Sequence, residues 1–202
     1  MDIVLFPSSE KNLISLKKIK SKNELSENKD KEYSGYLIES DEKEIRRIVE
    51  TLKARKTHKG SALEEQNKII AVAGRDDAFN RRIIETIKTD FLVSPEKYTE
   101  KDGLKQRDSG LNHVTAKAAA KNNISIVIDF SDVSNIANKK EKSIRLAKIM
   151  QNIVVCRKVN CPIKIASFAE DKTKIIDEYS LKAFLFSLGE SSQQVGNATN
   201  FK

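Results

Sequence analysis

The stretch from residue 111 to residue 128 constrains the fold more than any other part of the chain. Leu111–Lys121 is rich in alanine and places its apolar residues at helical spacing, so it predicts a short helix. Asn122 and Asn123 come next, and asparagine tolerates the left-handed backbone conformation that ends a helix. Ile124–Ile128 is an apolar, β-branched run, typical of a strand covered on both faces. The stretch therefore predicts one helix–strand unit of a parallel α/β sheet.

The same alternation of short apolar runs and amphipathic segments continues along the chain. Strands are predicted at Asp2–Phe6, Tyr36–Ile38, Ile69–Ala73, Phe91–Val93, Ile124–Ile128 and Ile163–Ala166. Helices are predicted from a Ser8 or Ser9 cap through Ile19, and at Glu42–Lys56, Ala78–Lys88, Leu111–Lys121, Glu141–Lys158 and Leu181–Leu188. In the longest helix the predicted inward residues are Ile144, Ala147, Ile149, Met150, Ile153 and Val154. Residues 21–32 are predicted as an exposed loop or a fraying helix end, and residues 190–202 as a polar tail with room for one more short helix.

This rhythm predicts parallel strands joined by right-handed crossovers, within one domain that spans residues 1–202. Two α/β architectures satisfy it, a barrel and a doubly wound open sheet. A complete (β/α)₈ barrel takes about 250 residues, so a barrel of 202 residues would be compact. The first strand–helix junction, at residues 6–9, has no glycine-rich phosphate loop, which argues against the open sheet. Periodicity alone does not decide between them.

The positive charge of the chain is concentrated in one segment. The whole sequence has 37 Lys+Arg and 29 Asp+Glu, a formal net charge of +8. Between Lys101 and Lys164 there are 13 basic and 5 acidic residues, so this segment carries the whole excess. Such a basic segment, poor in aromatic residues, favours contact with nucleic-acid phosphates over base stacking. The alternative is a solvated surface with unevenly distributed charge.

Several classes of protein are disfavoured by what the sequence lacks. No apolar run approaches the ~18–20 residues of a membrane span, and the N-terminus does not resemble a secretory signal, so a cytoplasmic location is expected. A multinuclear metal hydrolase needs clustered imidazole and carboxylate ligands, but the only histidines are His58 and His113. Cys156 and Cys161 are too few for a zinc site and are interpreted as half-buried thiols.

Three segments together resemble a known family. The first is RDSGLNHVTAKAAAKNN at residues 107–123, followed by its apolar strand. Upstream lies AVAGRDDAFNRRIIETIKTDFLVSPE at residues 71–96, and downstream RLAKIMQNIVVCRKVNCPIKIAS at residues 145–167. In this order they are similar to RNase P protein component 3, over roughly residues 68–190.

The resemblance implies a compact TIM-like barrel related to the PHP phosphoesterases. It implies a non-catalytic subunit that positions the RNA of ribonuclease P, the enzyme that removes the 5′ leader of precursor tRNA. Mg²⁺ would be held by the RNA, with no cofactor on this chain. The implied partners are RNase P RNA, precursor tRNA in the holoenzyme, and a Pop-five-type subunit in a heterotetramer. The chain departs from the family pattern at residues 167–169 and 177–180. A stand-alone PHP-like phosphoesterase and a barrel that binds only proteins are the alternatives.

The candidate RNA contacts are basic residues at helix ends or on exposed helical faces. Helix N-termini favour phosphate, because free N–H groups and the helix dipole point outward. The candidates are Arg107, Arg75, Arg81, Arg82, Lys117, Lys121, Arg157 and Lys158. The turn before the central helix supplies a second set, interpreted as a structural motif: Asp108, Gly110, Asn112 and His113. For His113, general-base catalysis is the alternative to a hydrogen-bonding role.

Overall fold

The computed structural model describes residues 1–26, 29–57, 68–98 and 108–201. In this part of the chain, seven parallel strands form a sheet in sequence order. They are β1 (Asp2–Val4), β2 (Leu13–Ile19), β3 (Gly35–Ile38), β4 (Ile69–Ala73), β5 (Phe91–Val93), β6 (Ser125–Asp129) and β7 (Ile163–Ala166). The sheet curls until its two edges meet, which makes a nearly closed α/β barrel and confirms the predicted fold class.

Helices surround this barrel and connect most of its strands. They are α1 (Glu42–Thr57), α2 (Asp77–Thr86), α3 (His113–Lys121), α4 (Phe130–Ser134), α5 (Lys139–Lys158), α6 (Glu178–Ser187) and α7 (Ser192–Asn197). Short 3-10 helices lie at Lys22–Glu24, Lys29–Glu32 and Lys172–Lys174. None of the described helices is both long and apolar enough to cross a bilayer.

Side chains alternate between the inside and the outside of the barrel, as the period of two in a strand requires. In β3, β5 and β6 the inward residues are Leu37, Val93 and Val127, and they belong to a cluster that fills the barrel. The larger cluster lies between the outer surface of the strands and the inner faces of the helices. Residues such as Leu92 and Ile126 are buried there. These two layers explain why the strands read as continuous apolar runs.

The two edges of the sheet join only over a short seam. The amide of Leu5 donates to the carbonyl of Ala169 (2.8 Å), and the amide of Phe168 donates to the carbonyl of Ile3 (2.9 Å). Lower in the seam, Asp2 Oδ1 accepts the amide of Ser167 (2.7 Å). The Asp2 carboxylate thus accepts an amide hydrogen bond that a backbone carbonyl of β1 would accept if β1 and the segment after β7 were fully paired.

Residues 198–201 fill the rest of this seam. The carbonyl of Ala198 accepts the amide of Ile165 (3.0 Å), and the carbonyl of Thr199 accepts the N-terminal amine of Met1 (3.1 Å). Phe201 then enters the barrel, with its ring edge-on to Phe91 at 5.6 Å between centroids. The polar tail therefore contains the one additional short helix expected for it, α7, but its last residues also form part of the barrel core, which was not predicted.

The prediction of a helix between Ser9 and Ile19 was wrong. Leu13–Ile19 is strand β2, which adds a seventh strand to the six predicted. Ile14 and Leu16 face into the barrel, whereas Ile19 packs outward beneath the helices. Residues 13, 16 and 19 have the spacing of a helical stripe, whereas 14 and 16 have the alternating spacing of a strand. The strand forms because it buries apolar side chains on both faces of the sheet.

Two further predictions differ from the structure in detail. In α5 the side chains of Ile144, Met150 and Val154, predicted to face inward, are exposed. The stretch 21–32, predicted as an exposed loop or a fraying helix end, includes two 3-10 helices, and the difference is its buried carboxylate, Asp30. Asp30 accepts hydrogen bonds from Lys17 (2.6 Å) and the Tyr36 hydroxyl (3.0 Å), which hold its pKa below the usual value even though burial opposes that shift.

Three helices end with a left-handed residue in a Schellman motif. Asn123 (φ 57°) ends α3 as predicted, Asn160 (φ 55°) ends α5, and Gly189 (φ 91°) ends α6. In α5 the amide of Cys161 donates to the carbonyl of Cys156 (2.9 Å), which brings the two buried thiols together. These thiols make the apolar contact that usually accompanies this motif.

Candidate nucleic-acid interface

The RNA-binding candidates are organised by a clamp at the carboxyl ends of β4 and β5. Its centre is Asn80, a fully buried residue in the first turn of α2. Asn80 Oδ1 accepts the amide of Arg75 (2.7 Å). Its Nδ2 donates to three carbonyl oxygens, those of Arg75 (2.8 Å), Pro95 (3.2 Å) and Gly110 (2.9 Å). One amide side chain therefore ties together the loop after β4 and both flanks of the loop after β5.

Glycine is required where these loops touch. Gly110 has a φ of 74°, and a Cβ atom there would lie 2.0 Å from the carbonyl oxygen of Pro95. A Cβ on Gly74 would lie 2.5 Å from the Cα of Pro95. Asp108 supports the same turn, since its Oδ1 accepts the amide of Gly110 (3.1 Å). The Asp-Ser-Gly turn seen in the sequence thus serves close backbone packing.

Asn112 joins the N-termini of α2 and α3. Its Oδ1 accepts the amide of Thr115 (2.9 Å), so Asn112 is the N-cap of α3. Its Nδ2 reaches both carboxylate oxygens of Asp77 at 3.3 Å. His113 is exposed beside it, in a shallow groove that Arg81 also lines.

The arginines of the β4–α2 region are already engaged by neighbouring groups. Arg81 pairs with Glu85 (2.9 Å) on the same helix. Arg82 pairs with Glu42 of α1 (2.6 Å), and the hydrogen bonds from Arg46 and then Arg82 lower the pKa of the Glu42 carboxyl. The guanidinium of Arg75 lies over the ring of Phe79, 5.2 Å from its centroid. These side chains stabilise α2 against its surroundings, which leaves less of their charge for a polyanion.

The lysines of α3 and α5 are in a different situation. Lys117, Lys121 and Lys158 are exposed, and among the described residues none of them has a carboxylate within ion-pair distance. No acidic residue occurs in α3, and its neighbour α5 has a single glutamate. Arg157 is also exposed and donates to the carbonyl of Gly189 (3.1 Å). These four exposed side chains, on the neighbouring helices α3 and α5, are here called the lysine face, and the charge of its lysines is less neutralised than that of Arg81 and Arg82.

The predicted RNA contacts are therefore divided between the two ends of the barrel. Arg75 and the N-terminal turn of α3 lie at the carboxyl ends of the strands, where Asn80 holds the loops. Lys121 and Lys158 end their helices and so lie at the opposite edge, because helices in such a barrel run antiparallel to the strands. Arg107 lies outside the described residues, as does His58.

The mouth of the barrel, where α/β-barrel enzymes carry their active sites, holds a network of internal ion pairs. Asp132 accepts hydrogen bonds from Lys97 (2.7 Å) and Arg145 (2.8 Å), both of them largely buried. Across the mouth, Lys18 pairs with Glu39 (3.0 Å). Within residues 1–26, 29–57, 68–98 and 108–201, no three potential metal ligands of the His, Cys, Asp and Glu types converge.

Two carboxyl groups beside this network have strongly raised pKa values. Burial raises the pKa of Glu96 to about 7, and burial likewise raises the pKa of Asp129 to about 7. Glu96 Oε2 accepts a hydrogen bond from Asn152 Nδ2 (3.3 Å), whose other bond goes to the carbonyl of Ser109 (3.0 Å). Near neutral pH these carboxyl groups are partly protonated, which limits the negative charge inside the mouth.

Replacing Glu96 with glutamine is expected to remove a pH-dependent part of the stability. The pKa of Glu96 is about 7 in the folded state against 4.5 in the unfolded state, so the folded state binds the proton more tightly. This stabilisation is complete below pH 4.5 and is lost as the pH rises through 7, a change of at most about 3 kcal/mol. Urea unfolding at pH 5 and pH 8 measures it. A wild-type loss between these pH values that Glu96→Gln reproduces in full would contradict the assignment.

Asn80 and Asn152 were missed by sequence reasoning, although a signal for both exists. Asn80 precedes Ile83, Ile84 and Ile87 at spacings of three, four and seven, which places it in the core stripe of α2. Asn152 occupies the same kind of position in α5, between Ile149 and Cys156. A polar side chain in a core stripe needs internal partners, and both asparagines find backbone carbonyls there.

Comparison with known protein families matches most of the chain to one family. The model of a family described as RNase P subunit p30 matches residues 45–200. Ribonuclease P protein component 3 of Methanocaldococcus jannaschii is 31% identical over 122 residues, which cover 60% of this chain and 49% of that protein. The same component of Methanococcus vannielii is 29% identical over 158 residues, covering 77% and 60%. The chain spans about half the length of the curated relatives it matches.

Solved structures agree on the fold. A chain from the cryo-EM structure of archaeal ribonuclease P with mature tRNA superposes with a TM-score of 0.67 at 22% identity, covering 98% of this chain and 87% of that one. A crystal structure described as an amidohydrolase superposes with a TM-score of 0.53 at 12% identity, covering 81% and 40%. At these identities the likeness extends to the barrel architecture alone.

Proposed function

The chain belongs to the RNase P subunit p30 family, and from this membership we propose that it is a non-catalytic protein subunit of ribonuclease P. In this role it stabilises and positions the RNA of an enzyme that removes the 5′ leader of precursor tRNA. The observation that carries the proposal is the family match over residues 45–200, a segment that contributes β4 to β7 of the seven-stranded barrel.

The features of the barrel mouth support a non-catalytic role for the chain itself. A metal-dependent phosphoesterase needs open carboxylate and imidazole ligands around its metal ions. Here Asp132 is held by two cations of the same chain, and Glu39 by another. We assign Mg²⁺ to the RNA component of the holoenzyme, with no cofactor on this chain. The further partners in the proposal are precursor tRNA and a Pop-five-type subunit, in a heterotetramer and in the cytoplasm.

Within this proposal the lysine face is the main phosphate-binding surface. A phosphate that approaches Lys117 or Lys121 replaces water and counterions, whereas at Arg81 or Arg82 it must compete with an existing carboxylate partner. Binding by such lysines releases counterions and is therefore steeply salt dependent. The arginines of α2 act chiefly by fixing the helix in place.

Reconstitution tests the function directly. The chain should raise the rate of precursor-tRNA cleavage by a cognate RNase P RNA in Mg²⁺ when the other protein subunits are supplied. The same chain without the RNA should not cleave precursor tRNA at the mature 5′ end. Cleavage at that position by the protein alone would reverse the non-catalytic assignment, and an unchanged rate in the reconstituted enzyme would reject the subunit role.

Double replacement of Lys117 and Lys121 with alanine is expected to weaken RNA association. The binding constant falls as salt rises, so a plot of log K against log salt has a negative slope. Each lost phosphate contact reduces the magnitude of that slope by about 1, and the double variant should reduce it by about 2. Filter binding to RNase P RNA across a fourfold range of salt provides the measurement.

The matched control is the double replacement of Arg81 and Arg82 with alanine, on a helix that packs beside α3. Because both arginines are exposed and paired with carboxylates, this control should keep the wild-type slope. The same loss of slope in both double variants would mean that the lysine face has no special role.

A further inference from the structure

Four helices of the barrel each carry a lysine where they end. Lys53 lies in the last part of α1, Lys88 follows α2 by two residues, and Lys121 and Lys158 are the last residues of α3 and α5. Helices in such a barrel run antiparallel to the strands, so these helix ends lie at the end of the barrel where the strands begin. The four lysines are here called the lower rim.

The four helices are direct neighbours. Arg46 of α1 donates a hydrogen bond to Thr86 Oγ1 at the end of α2 (2.6 Å), and Asn122 Nδ2, directly after α3, donates to the carbonyl of Ile84 in α2 (2.8 Å). Helices α3 and α5 pack against each other in turn. Since neighbouring helix axes are about 8–10 Å apart, the lower rim is a row of lysines about 25–30 Å long.

The positive charge of the lower rim is not neutralised by ion pairs within the protein. All four lysines are exposed, and none of them has a carboxylate within ion-pair distance in the part of the chain that the structure describes. Asp90, two residues after Lys88, instead accepts the amide of Ile70 (2.8 Å). Nearer the mouth, by contrast, Arg82 of α2 pairs with Glu42 of α1. Each helix dipole offsets about half a charge at its C-terminal end, so every lysine of the rim leaves a net positive charge.

The chemistry of the rim selects the backbone of a nucleic acid. A lysine ammonium binds phosphate as a point charge and reads no base. The exposed aromatic rings of the described chain, Tyr98, Tyr179 and Phe186, lie outside these helix ends, so the rim offers no platform on which single-stranded bases would stack. Lysine is also depleted from protein–protein interfaces, whose centres are apolar. Double-helical RNA, which proteins recognise mostly through phosphates and 2′-hydroxyls, fits the rim best.

We propose that the lower rim binds the phosphate backbone of a double-helical segment of RNA. The inference rests on the proposed function and deepens it, because it names the form of the RNA and the end of the barrel that meets it. It joins the lysine face, which shares Lys121 and Lys158 with the rim, to Lys53 and Lys88 on the far side of α3. The mouth of the barrel, with its internal ion pairs, then faces away from the duplex.

Fluorescence anisotropy of the full chain with a labelled RNA duplex of about 20 base pairs tests the proposal. The variant Lys53→Ala/Lys88→Ala should weaken binding about tenfold at about 0.1 M salt and reduce the magnitude of the salt slope by about 2, because two phosphate contacts are lost. The matched control is Lys43→Ala/Lys140→Ala, which removes two exposed lysines from the opposite ends of α1 and α5 and should bind as the wild type does. Equal losses in the two double variants would overturn the proposal, as would a wild type that does not bind the duplex.

The variant Lys53→Arg/Lys88→Arg separates the role of charge from that of folding. It keeps both positive charges and should therefore retain most of the affinity for the duplex. A loss of binding as large as that of the alanine variant would reject phosphate contact by these two side chains.

Two competition experiments identify the occupant. Single-stranded RNA of the same length should displace the duplex about tenfold less effectively than unlabelled duplex does, and polyglutamate at equal charge should not displace it. Effective displacement by either would assign the rim to a single strand or to an acidic protein and reject the proposal. If the chain activates the reconstituted enzyme while Lys53→Ala/Lys88→Ala binds the duplex like the wild type, the proposed function stands and only the lower rim is rejected.

Discussion

Replacing Phe201 with alanine is expected to lower the free energy of unfolding by about 3–4 kcal/mol, the usual cost of removing a buried phenylalanine. The ring is almost completely buried inside the barrel and packs edge-on against Phe91. Lys164 Nζ lies 5.2 Å from the centre of the same ring and donates to the carbonyl of Asn200. Loss of the ring would open a cavity at the lower end of the barrel and release the segment that fills the seam.

Urea unfolding followed by far-ultraviolet circular dichroism measures this effect. The matched control is Phe186→Ala, since Phe186 is 60% exposed on α6 and its removal should change stability by less than about 0.5 kcal/mol. Similar small losses in both variants would mean that residues 198–201 do not belong to the folded core. A second check is Leu37→Ala on β3, another buried residue of the same inner cluster, which should cost a comparable amount.

Replacing Asn80 with alanine should be the most damaging single polar substitution, costing about 4 kcal/mol. The side chain makes four hydrogen bonds to backbone groups of three loop segments. Its removal leaves one amide and three carbonyls without that partner, and each unsatisfied buried group costs about 1–3 kcal/mol. Some of the carbonyls would recover a water molecule, so the expected cost is well below the sum. In a protein of this size the melting temperature should fall by about 10 °C.

Asn80→Asp refines the prediction about the clamp. Aspartate keeps the acceptor for the amide of Arg75 and loses the donor to the three carbonyls. It should therefore cost nearly as much as alanine, because the donor makes most of the bonds. Asn135→Ala, at an exposed asparagine after α4, is the neutral control. Thermal melts of the three variants decide the matter, and an Asn80→Asp variant as stable as the wild type would show that the donor bonds are dispensable.

The short apolar strands separated by helices predicted a parallel α/β fold, and the resemblance to RNase P protein component 3 selected the barrel over the open sheet. It predicted the end of α3 at Asn123 for a local reason, since the left-handed conformation depends mainly on that residue. Strand β2 was predicted wrongly because its apolar positions fit both a helical and an alternating pattern. Tertiary burial decided between them. The segment has the barrel interior on one face and the helical layer on the other, and a strand is the structure that buries side chains on both faces.

The site was less predictable than the fold, and for a physical reason. Sequence can locate basic residues and pairs one helical turn apart, such as Arg81 and Glu85, but not the carboxylates that come from distant parts of the chain. Arg82 and Glu42 are 40 positions apart, and nothing local marks them as a pair. The lysines of α3 remained candidates because no acidic residue occurs within that helix, which is a local property. Pairing over a long sequence distance therefore distinguishes Arg82 of α2 from the lysines of α3, although these basic residues look equivalent in the sequence.

The seam between β1 and β7 has a consequence for the order of folding. Asp2 meets Ser167 across a separation of 165 residues, and Met1 meets Thr199 across 198. Closing so long a loop costs entropy before any contact repays it, so these contacts should form late. A ribosome makes β1 long before residues 163–201, so the seam edge of β1 stays unpaired until those residues emerge. Until then the growing barrel is an open sheet, and only their arrival closes it into a ring.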